Sequence, residues 1–116
     1  GWRLTFALRE AATLRIPTDP NVACLDADLL QFPLALRRWQ PGDWFCPLGM
    51  NQKKKISDLL IDAKVPLNRK ADTWLLTSGG SVAWVVGHRV DNRFKISDKT
   101  TRAWTAHRTA MPTAKG

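Results

Sequence analysis

The sequence predicts an α+β domain dominated by β-structure, with short strands in layered sheets and one main packed helix. Brief stretches of β-forming residues alternate with proline and glycine turns, while helical spacing of apolar residues is clear in a single segment. A length of 116 residues with 44% hydrophobic residues suits one domain with a real core. No apolar run approaches the roughly 18 residues of a membrane helix, so no membrane partner is expected.

Three strands are predicted in the first third of the chain, over residues 2–8, 22–26 and 34–39, where β-forming residues alternate or cluster. Two prolines and turn-forming side chains make residues 16–21 a loop. Residues 26–30 are expected to form a turn or one helical turn.

The middle of the chain predicts two tight turns and the helix. Pro41-Gly42 favours a type II turn, because proline presets φ and glycine supplies the positive φ that follows. Residues 47–49 repeat this chemistry after a short strand at residues 44–46. The helix is expected over residues 56–63, whose apolar side chains recur at i, i+3, i+4 and i+7, and Pro66 ends it.

The last third predicts a hairpin and two further strands. Residues 73–77 and 81–86 flank Ser78-Gly79-Gly80, which suits a hairpin turn. Residues 89–96 alternate charged and apolar side chains, and residues 101–107 favour a final strand.

The positive charge is unevenly distributed along the chain. The formal net charge is +8, yet residues 1–36 carry three Lys and Arg against four Asp and Glu. Residues 37–116 carry fifteen Lys and Arg against six Asp and Glu. Such asymmetry indicates a partner that is nucleic acid or an acidic surface. The alternative is a basic surface that only keeps the chain soluble.

Lys53, Lys54 and Lys55 precede the predicted helix, where the helix dipole disfavours cations. This conflict suggests that the lysines hold an anion, although an exposed loop with ordinary lysines is the alternative. Arg93 and Lys95 are two residues apart and are expected to share one sheet face, with a possible turn at Asp91-Asn92 before them. The candidate phosphate contacts are Lys53, Lys54, Lys55, Arg37, Arg38, Lys64, Arg69, Arg89, Arg93 and Lys95.

Tryptophans 39, 44, 74 and 84 lie in predicted strands or turns. Aromatic rings can stack on unpaired bases, but they more often fill a core, and the core is the preferred interpretation here. A helical RNA stem would require only basic groups that match its backbone.

The sequence contains little that resembles a catalytic or metal-binding motif. Ser78-Gly79-Gly80-Ser81 resembles the start of the ATP-pyrophosphatase loop, but Val82 stands where that loop requires Asp, and a hairpin turn explains the glycines. His88 and His107 are the two histidines, and they form no evident triad or metal cluster. The two cysteines, at positions 24 and 46, are interpreted as small buried side chains, with a disulfide possible but not indicated. We therefore expect no catalytic residue, cofactor or metal in this chain itself.

Several motifs carry a family resemblance, in order and without large gaps, over roughly residues 20–100. The sequence from Arg37 to Lys64 and the segment from Trp84 to Lys95 resemble the C-terminal domain of bacterial tRNA(Ile)-lysidine synthetase. The matching motifs are Leu25-Asp26-Ala27-Asp28, Phe32-Pro33-Leu34, Pro41-Gly42-Asp43, Pro47-Leu48-Gly49-Met50, Lys54-Lys55, Asp62 with Lys64-Val65-Pro66, and Trp84-Val85-Val86-Gly87-His88-Arg89-Val90-Asp91 with Arg93-Phe94-Lys95.

The resemblance implies a cytoplasmic parent enzyme, a carbon–nitrogen ligase, that uses ATP with Mg and lysine to modify the wobble cytidine of tRNA(Ile). That chemistry belongs to an N-terminal ATP-pyrophosphatase domain, which this chain lacks. The resemblance also implies a fold similar to a domain of the phenylalanyl-tRNA synthetase β subunit. The implied role is to position tRNA(Ile), chiefly by its acceptor stem, for the catalytic domain. The alternative is a structural domain that docks the catalytic domain or a second subunit.

The whole chain, residues 1–116, is expected to be one such domain. Residues 1–20 and 101–116 match the family less clearly, and residues 111–116 are expected to fray. The chain begins Gly1-Trp2-Arg3, without Met or a signal-peptide pattern, which predicts a piece of a longer protein.

Overall fold

The computed structural model describes residues 1–111, and these form three antiparallel sheets and two short helices. The predicted fraying of residues 112–116 lies outside the described residues. The strands are β1 (Trp2–Glu10), β2 (Val22–Asp26), β3 (Leu34–Arg38), β4 (Trp44–Phe45), β5 (Lys54–Lys55), β6 (Trp74–Ser78), β7 (Ser81–Val85), β8 (Arg89–Val90) and β9 (Arg102–Ala110), and the helices are α1 (Ile56–Asp62) and α2 (Leu67–Lys70).

The first sheet, which we call the terminal sheet, joins the two ends of the described chain in the order β1-β9-β2. β1 and β9 pair over their whole length, from Trp2 opposite Ala110 to Glu10 opposite Arg102. The backbone N–H of Met111 extends the ladder by donating to the carbonyl of Gly1 at 2.8 Å. β2 covers the other edge of β9.

The second sheet, the central sheet, has the order β3-β6-β7-β8 and contains the predicted hairpin. Gly79 and Gly80 form its two-residue turn with φ of +56° and +85°, the backbone that a tight hairpin requires. A side chain at Gly79 would collide with Gln31, because a Cβ there would lie 2.2 Å from the Gln31 side-chain oxygen. The glycines therefore serve a turn, as predicted.

Two core clusters give the domain three layers. Leu76 and Trp84 are cross-strand partners on one face of the central sheet, and both pack in the cluster beneath the terminal sheet. Leu75 and Val85 are partners on the opposite face, and both pack in the cluster that includes the apolar face of α1. The alternation of β6 and β7 thus places the central sheet between the terminal sheet and α1. The expected β-dominated, layered α+β fold is confirmed.

Helix α1 begins at Ile56, and its C-terminal boundary is set by backbone hydrogen bonds. Val65 donates to the carbonyl of Leu60 and Lys64 donates to that of Ile61, which is the Schellman arrangement. Lys64 has a φ of +56° there, a position where glycine is the usual residue. Helix α2 was not predicted; it begins directly after Pro66.

The strand predicted over residues 89–96 is wrong beyond Val90. Asn92–Phe94 form a single 3-10 turn, capped by the Asp91 carboxylate, which accepts from the N–H of Arg93. The expected shared sheet face of Arg93 and Lys95 is therefore also wrong, while the turn considered at Asp91-Asn92 is present. The Asp91 carboxylate accepts from the backbone N–H of Arg93, which in a strand would donate to a neighbouring strand instead.

Smaller expectations have mixed outcomes. Residues 27–29 form the single helical turn considered for this region. Both cysteines are free thiols; Cys24 is buried as expected, but Cys46 is only half-buried. Burial raises the pKa of the Cys24 thiol, and the charge of Arg9 opposes this shift. Neither helix within residues 1–111 has the length and hydropathy needed to cross a bilayer.

Candidate nucleic-acid interface

Trp44, on β4, lies against two cations. The Nζ atom of Lys53 is 4.2 Å from the centre of the indole ring, and the Cζ atom of Arg93 is 4.7 Å from it. Such cation–π contacts hold flexible side chains over an aromatic face. Lys53 and Arg93, both candidates from the sequence, are therefore brought together at one half-buried tryptophan.

Arg93 is fixed by the buried carboxylate of Asp91. Its Nε and Nη2 atoms donate to the two carboxylate oxygens at 3.0 and 2.9 Å. The same carboxylate accepts from the backbone N–H of Cys46 at 2.8 Å. The bond to Asp91 raises the pKa of Arg93, so this guanidinium stays charged. Asp91 thus ties the loop after β4 to the turn that carries Arg93.

The three consecutive lysines have different environments. Lys53 lies over Trp44, Lys54 forms an ion pair with Asp62 of α1, and Lys55 is exposed at the N-cap of α1. The Lys55 side chain makes no capping hydrogen bond. α1 has only seven residues, so its dipole is a weak reason to expect an anion at this end.

Arg37 and Arg38 point to different partners. Arg37 donates both terminal nitrogens to the carboxylate of Asp43, at 2.9 and 2.8 Å. This bond lowers the pKa of Asp43 below its ordinary value and raises that of Arg37. Arg38 is exposed, and its NH2 lies 3.8 Å from Asp72, a contact too long for a strong pair.

Arg89 and Lys95 flank a second region, an apolar cavity of about 340 Å³. Arg89 donates to the carbonyl of Leu48 at 2.9 Å, while Lys95 is exposed. Cys24 and His88 also line this cavity. Burial lowers the pKa of His88, and the nearby charge of Arg108 lowers it further, which favours the neutral imidazole.

A larger concavity of about 760 Å³ opens where the terminal sheet meets the central sheet and the two helices. Trp2 and Trp74 meet there edge to face, with ring centres 6.2 Å apart at 76°. We call it the Trp2–Trp74 groove. Four cations line it, namely Arg38, Lys64, Arg69 and Arg108, together with one carboxylate, Asp72.

Arg108 and Trp2 were not among the sequence candidates. Both lie in the terminal sheet, in segments that matched the family poorly, and their proximity to Trp74 depends on the pairing of the two ends of the chain. The net basic charge after residue 37 was the available signal for Arg108. No sequence signal distinguished Trp2 from a core residue.

The tryptophans divide into two groups. Trp84 and Trp104 are buried in the core, and for Trp84 this is the position that the sequence analysis favoured. Trp2, Trp39, Trp44 and Trp74 are half-buried, and Trp39 donates its indole N–H to the carbonyl of Lys70 at 2.7 Å. The interpretation of tryptophans 39, 44 and 74 as core residues therefore holds only in part.

The described residues offer the chemistry of anion binding. Among residues 1–111, no group of three or more His, Cys, Asp or Glu side chains is placed to hold a metal ion. The exposed charged side chains are mostly Lys and Arg, whose ammonium and guanidinium groups suit phosphate oxygens.

A family model described as the TilS substrate C-terminal domain matches residues 34–106. The chain belongs to this family. The match covers the central sheet, α1 and the first half of β9, so it includes the Trp44 site and the part of the groove formed by Arg38, Lys64, Arg69 and Trp74, but not Trp2 or Arg108.

Relatives of the family share much of the sequence. The tRNA(Ile)-lysidine synthase of Parabacteroides distasonis is 50% identical over 92 residues, covering 78% of this chain and 21% of the relative. That of Bacteroides thetaiotaomicron is 48% identical over 88 residues, covering 76% of this chain and 21% of the relative. The chain thus spans about a fifth of the length of these relatives.

Solved structures agree on the fold. A crystal structure of a TILS C-terminal domain aligns with a TM-score of 0.85 and 20% identity, covering 97% of this chain and 87% of that chain. An N-terminal fragment of the phenylalanyl-tRNA synthetase β subunit from Pyrococcus horikoshii aligns with a TM-score of 0.60 and 15% identity, covering 75% of this chain and 27% of that one. Both expected fold relationships are confirmed.

Proposed function

We propose that this chain is the tRNA-binding C-terminal domain of a tRNA(Ile)-lysidine synthetase. In this role it positions tRNA(Ile), by its acceptor stem, for a separate N-terminal domain. That domain would adenylate the wobble cytidine with ATP and Mg and then attach lysine. The chain itself contributes binding rather than catalysis.

The observation that carries this proposal is that most Lys and Arg side chains of this domain form no ion pair within residues 1–111. Within residues 1–111, ion pairs engage Arg37, Arg38, Lys54 and Arg93, while the remaining Lys and Arg side chains form none. An A-form stem exposes phosphates and 2′-hydroxyls, and its deep groove is hard to read. Cations on a sheet and beside helix ends suit such a ligand, because they position it without reading sequence.

The proposed contacts fall into three groups. Lys53, Lys54, Lys55 and Arg93 lie around Trp44 and α1, Arg89 and Lys95 flank the smaller cavity, and Arg38, Lys64 and Arg69 line the Trp2–Trp74 groove. Arg37 is the least available of the set, because Asp43 occupies both of its terminal nitrogens.

The test compares the complete enzyme with the same enzyme lacking this chain, in titrations of tRNA(Ile) at several salt concentrations. We expect removal to weaken binding at least about tenfold and to flatten the plot of log K against log salt. Footprinting of both forms would locate the lost protection, which we expect on the acceptor stem. Equal affinity and equal salt slopes for the two enzymes would refute tRNA binding by this chain.

A second candidate function, docking of the catalytic domain or a second subunit, is favoured by one apolar surface. Phe6 and Leu8 of β1 are 57% and 53% exposed, and Phe6 stacks on Trp104 at 5.0 Å. Sedimentation of the chain with and without RNA separates the two functions. A salt-insensitive dimer that ignores RNA would support docking.

A further inference from the structure

The Trp2–Trp74 groove brings several positive charges together in one concavity. Four cations converge on one concavity, and the single carboxylate among them, Asp72, has a side chain that is 70% exposed. A cleft lined by one sign of charge focuses the electrostatic potential and raises the local concentration of counter-ions. Cations spread for solubility alone need not converge in this way.

Two of the cations are held by the tryptophans. The Cζ atom of Arg108 lies 5.4 Å from the ring centre of Trp2, and that of Arg38 lies 5.4 Å from the ring centre of Trp74. With the two rings in contact, an arginine flanks each end of the aromatic pair. An arginine ordered over an aromatic ring loses less conformational entropy when its donors meet a phosphate.

The same contacts disfavour an unpaired base as the ligand. One face of each indole ring is covered by a guanidinium, and the two rings meet edge to face. Stacking of a base needs an open aromatic face. The groove therefore offers donors for a backbone, and the guanidinium groups already occupy one face of each ring on which a base would stack.

Lys64 adds an independent observation. It occupies the left-handed position after α1 with a φ of +56°, a backbone conformation that strains any residue with a side chain and favours glycine. A strained lysine on the wall of a basic groove suggests that its charge is used there. Its favourable interaction with the C-terminal end of α1 is a smaller effect, since α1 has seven residues.

We propose that the Trp2–Trp74 groove holds the phosphodiester backbone of double-stranded RNA, with Arg38, Arg69 and Arg108 donating to phosphate oxygens. Lys64 supplies a further charge beside them. This inference rests on the proposed tRNA-binding function and deepens it, because it makes the groove, rather than the lysines at 53–55, the principal contact. It also assigns a binding role to Arg108 and a supporting role to Trp2.

The decisive variant is the complete enzyme with Arg38→Gln, Arg69→Gln and Arg108→Gln. We expect tRNA(Ile) affinity at about 0.15 M salt to fall at least about tenfold, and the salt slope to decrease by roughly two to three. A short RNA duplex of unrelated sequence, added to the chain alone, should show the same dependence. A single strand of equal length should bind more weakly.

The matched control removes three charges elsewhere, through Arg9→Gln, Arg15→Gln and Arg102→Gln. None of these arginines lines the groove. Arg9 is seven residues from Trp2 along β1, so it lies ~23 Å from the groove end of that strand. We expect the control to change affinity less than about twofold. A further comparison, Lys53→Gln with Lys55→Gln, should weaken binding less than the groove variant does.

Lys64→Gly tests the groove with a substitution that is not expected to unfold the chain, because glycine readily adopts the positive φ at this position. We expect this variant to lose affinity about two- to fivefold without a lower thermal midpoint. If the groove triple variant binds tRNA as tightly as the control triple variant, the groove proposal is wrong. If it binds tRNA normally but loses contact with the catalytic domain, the groove docks an acidic protein segment instead, which also overturns the proposal.

The two proposals fail in different ways. Failure of the groove alone leaves the effect of deleting the chain intact, whereas failure of tRNA binding abolishes that effect as well.

Discussion

Asp91 is a buried residue that organises the exposed candidate site around Trp44. Its side chain is fully buried, and it accepts hydrogen bonds from Cys46, from the backbone of Arg93 and from the Arg93 guanidinium. Arg93 in turn lies over Trp44. The buried Asp91 carboxylate thus fixes the position of the Arg93 guanidinium over Trp44.

Replacing Asp91 by Ala should lower the free energy of unfolding by about 3 kcal/mol, because buried donors lose their acceptor. The Arg93 side chain is 36% exposed and can be rehydrated, which keeps the loss at the lower end of the range for buried pairs. Urea unfolding measures the change. Asp72→Ala is the control, since its exposed contact should contribute less than about 1 kcal/mol. Equal losses for the two variants would contradict the assigned role of Asp91.

Asp43 predicts a pH dependence of stability. The hydrogen bonds from Arg37 lower the pKa of Asp43 in the folded chain, so as the pH falls the unfolded chain binds this proton first. The stabilisation is present above the ordinary carboxyl pKa of about 4 and is lost as the pH falls through the lower, folded value. Asp43→Asn should therefore reduce stability at pH 7 and flatten the acid limb of a stability profile. The control is Asp98→Asn, an exposed aspartate in no ion pair within residues 1–111, and it should change the free energy of unfolding at pH 7 by less than about 0.5 kcal/mol.

At the scale of elements, Lys64 is the residue with positive φ in the Schellman motif that ends α1. The Schellman hydrogen bonds turn the chain toward Pro66 and α2, and they place Arg69 on the wall of the groove. A backbone conformation that favours glycine is thus occupied by a lysine. Stability favours glycine at this position, whereas the proposed role in the groove favours lysine.

Lys64→Gly should leave the free energy of unfolding unchanged or raise it by up to about 1 kcal/mol, because relief of strain offsets the entropy of glycine. Lys70→Gly is the matched control within α2, where the backbone is helical, and it should destabilise by roughly 0.5–1 kcal/mol. Thermal unfolding of both variants measures the difference. A loss for Lys64→Gly as large as that for Lys70→Gly would show that Lys64 is not strained.

Elements with strong local signals could be predicted from the sequence. The spacing of apolar residues predicted α1 over residues 56–63, one residue longer than observed, and the two glycines predicted the hairpin turn. The strand over residues 89–96 was wrong because a side-chain cap by Asp91 overrides alternation, and sequence pattern does not show which carboxylate is buried. The short helix α2 has four residues and therefore too little periodicity to detect.

At the scale of the whole molecule, the candidate site depends on tertiary structure. The walls of the groove come from β1, β3, the segment after α1, and β9, so residues 2, 38, 64, 69 and 108 meet only in the folded chain. The sequence could predict the basic character of the chain and three of these positions. The partners Trp2 and Arg108 follow from the long pairing of β1 with β9, which no local pattern reveals.

That pairing also has a mechanical consequence. Gly1 and Met111 lie side by side at one end of the β1–β9 ladder. A force that pulls these two residues apart acts across the ladder and breaks its hydrogen bonds one after another, as a zipper opens. A load along the strands would have to break them together. The domain therefore resists a load along these two strands far better than it resists being stretched between Gly1 and Met111.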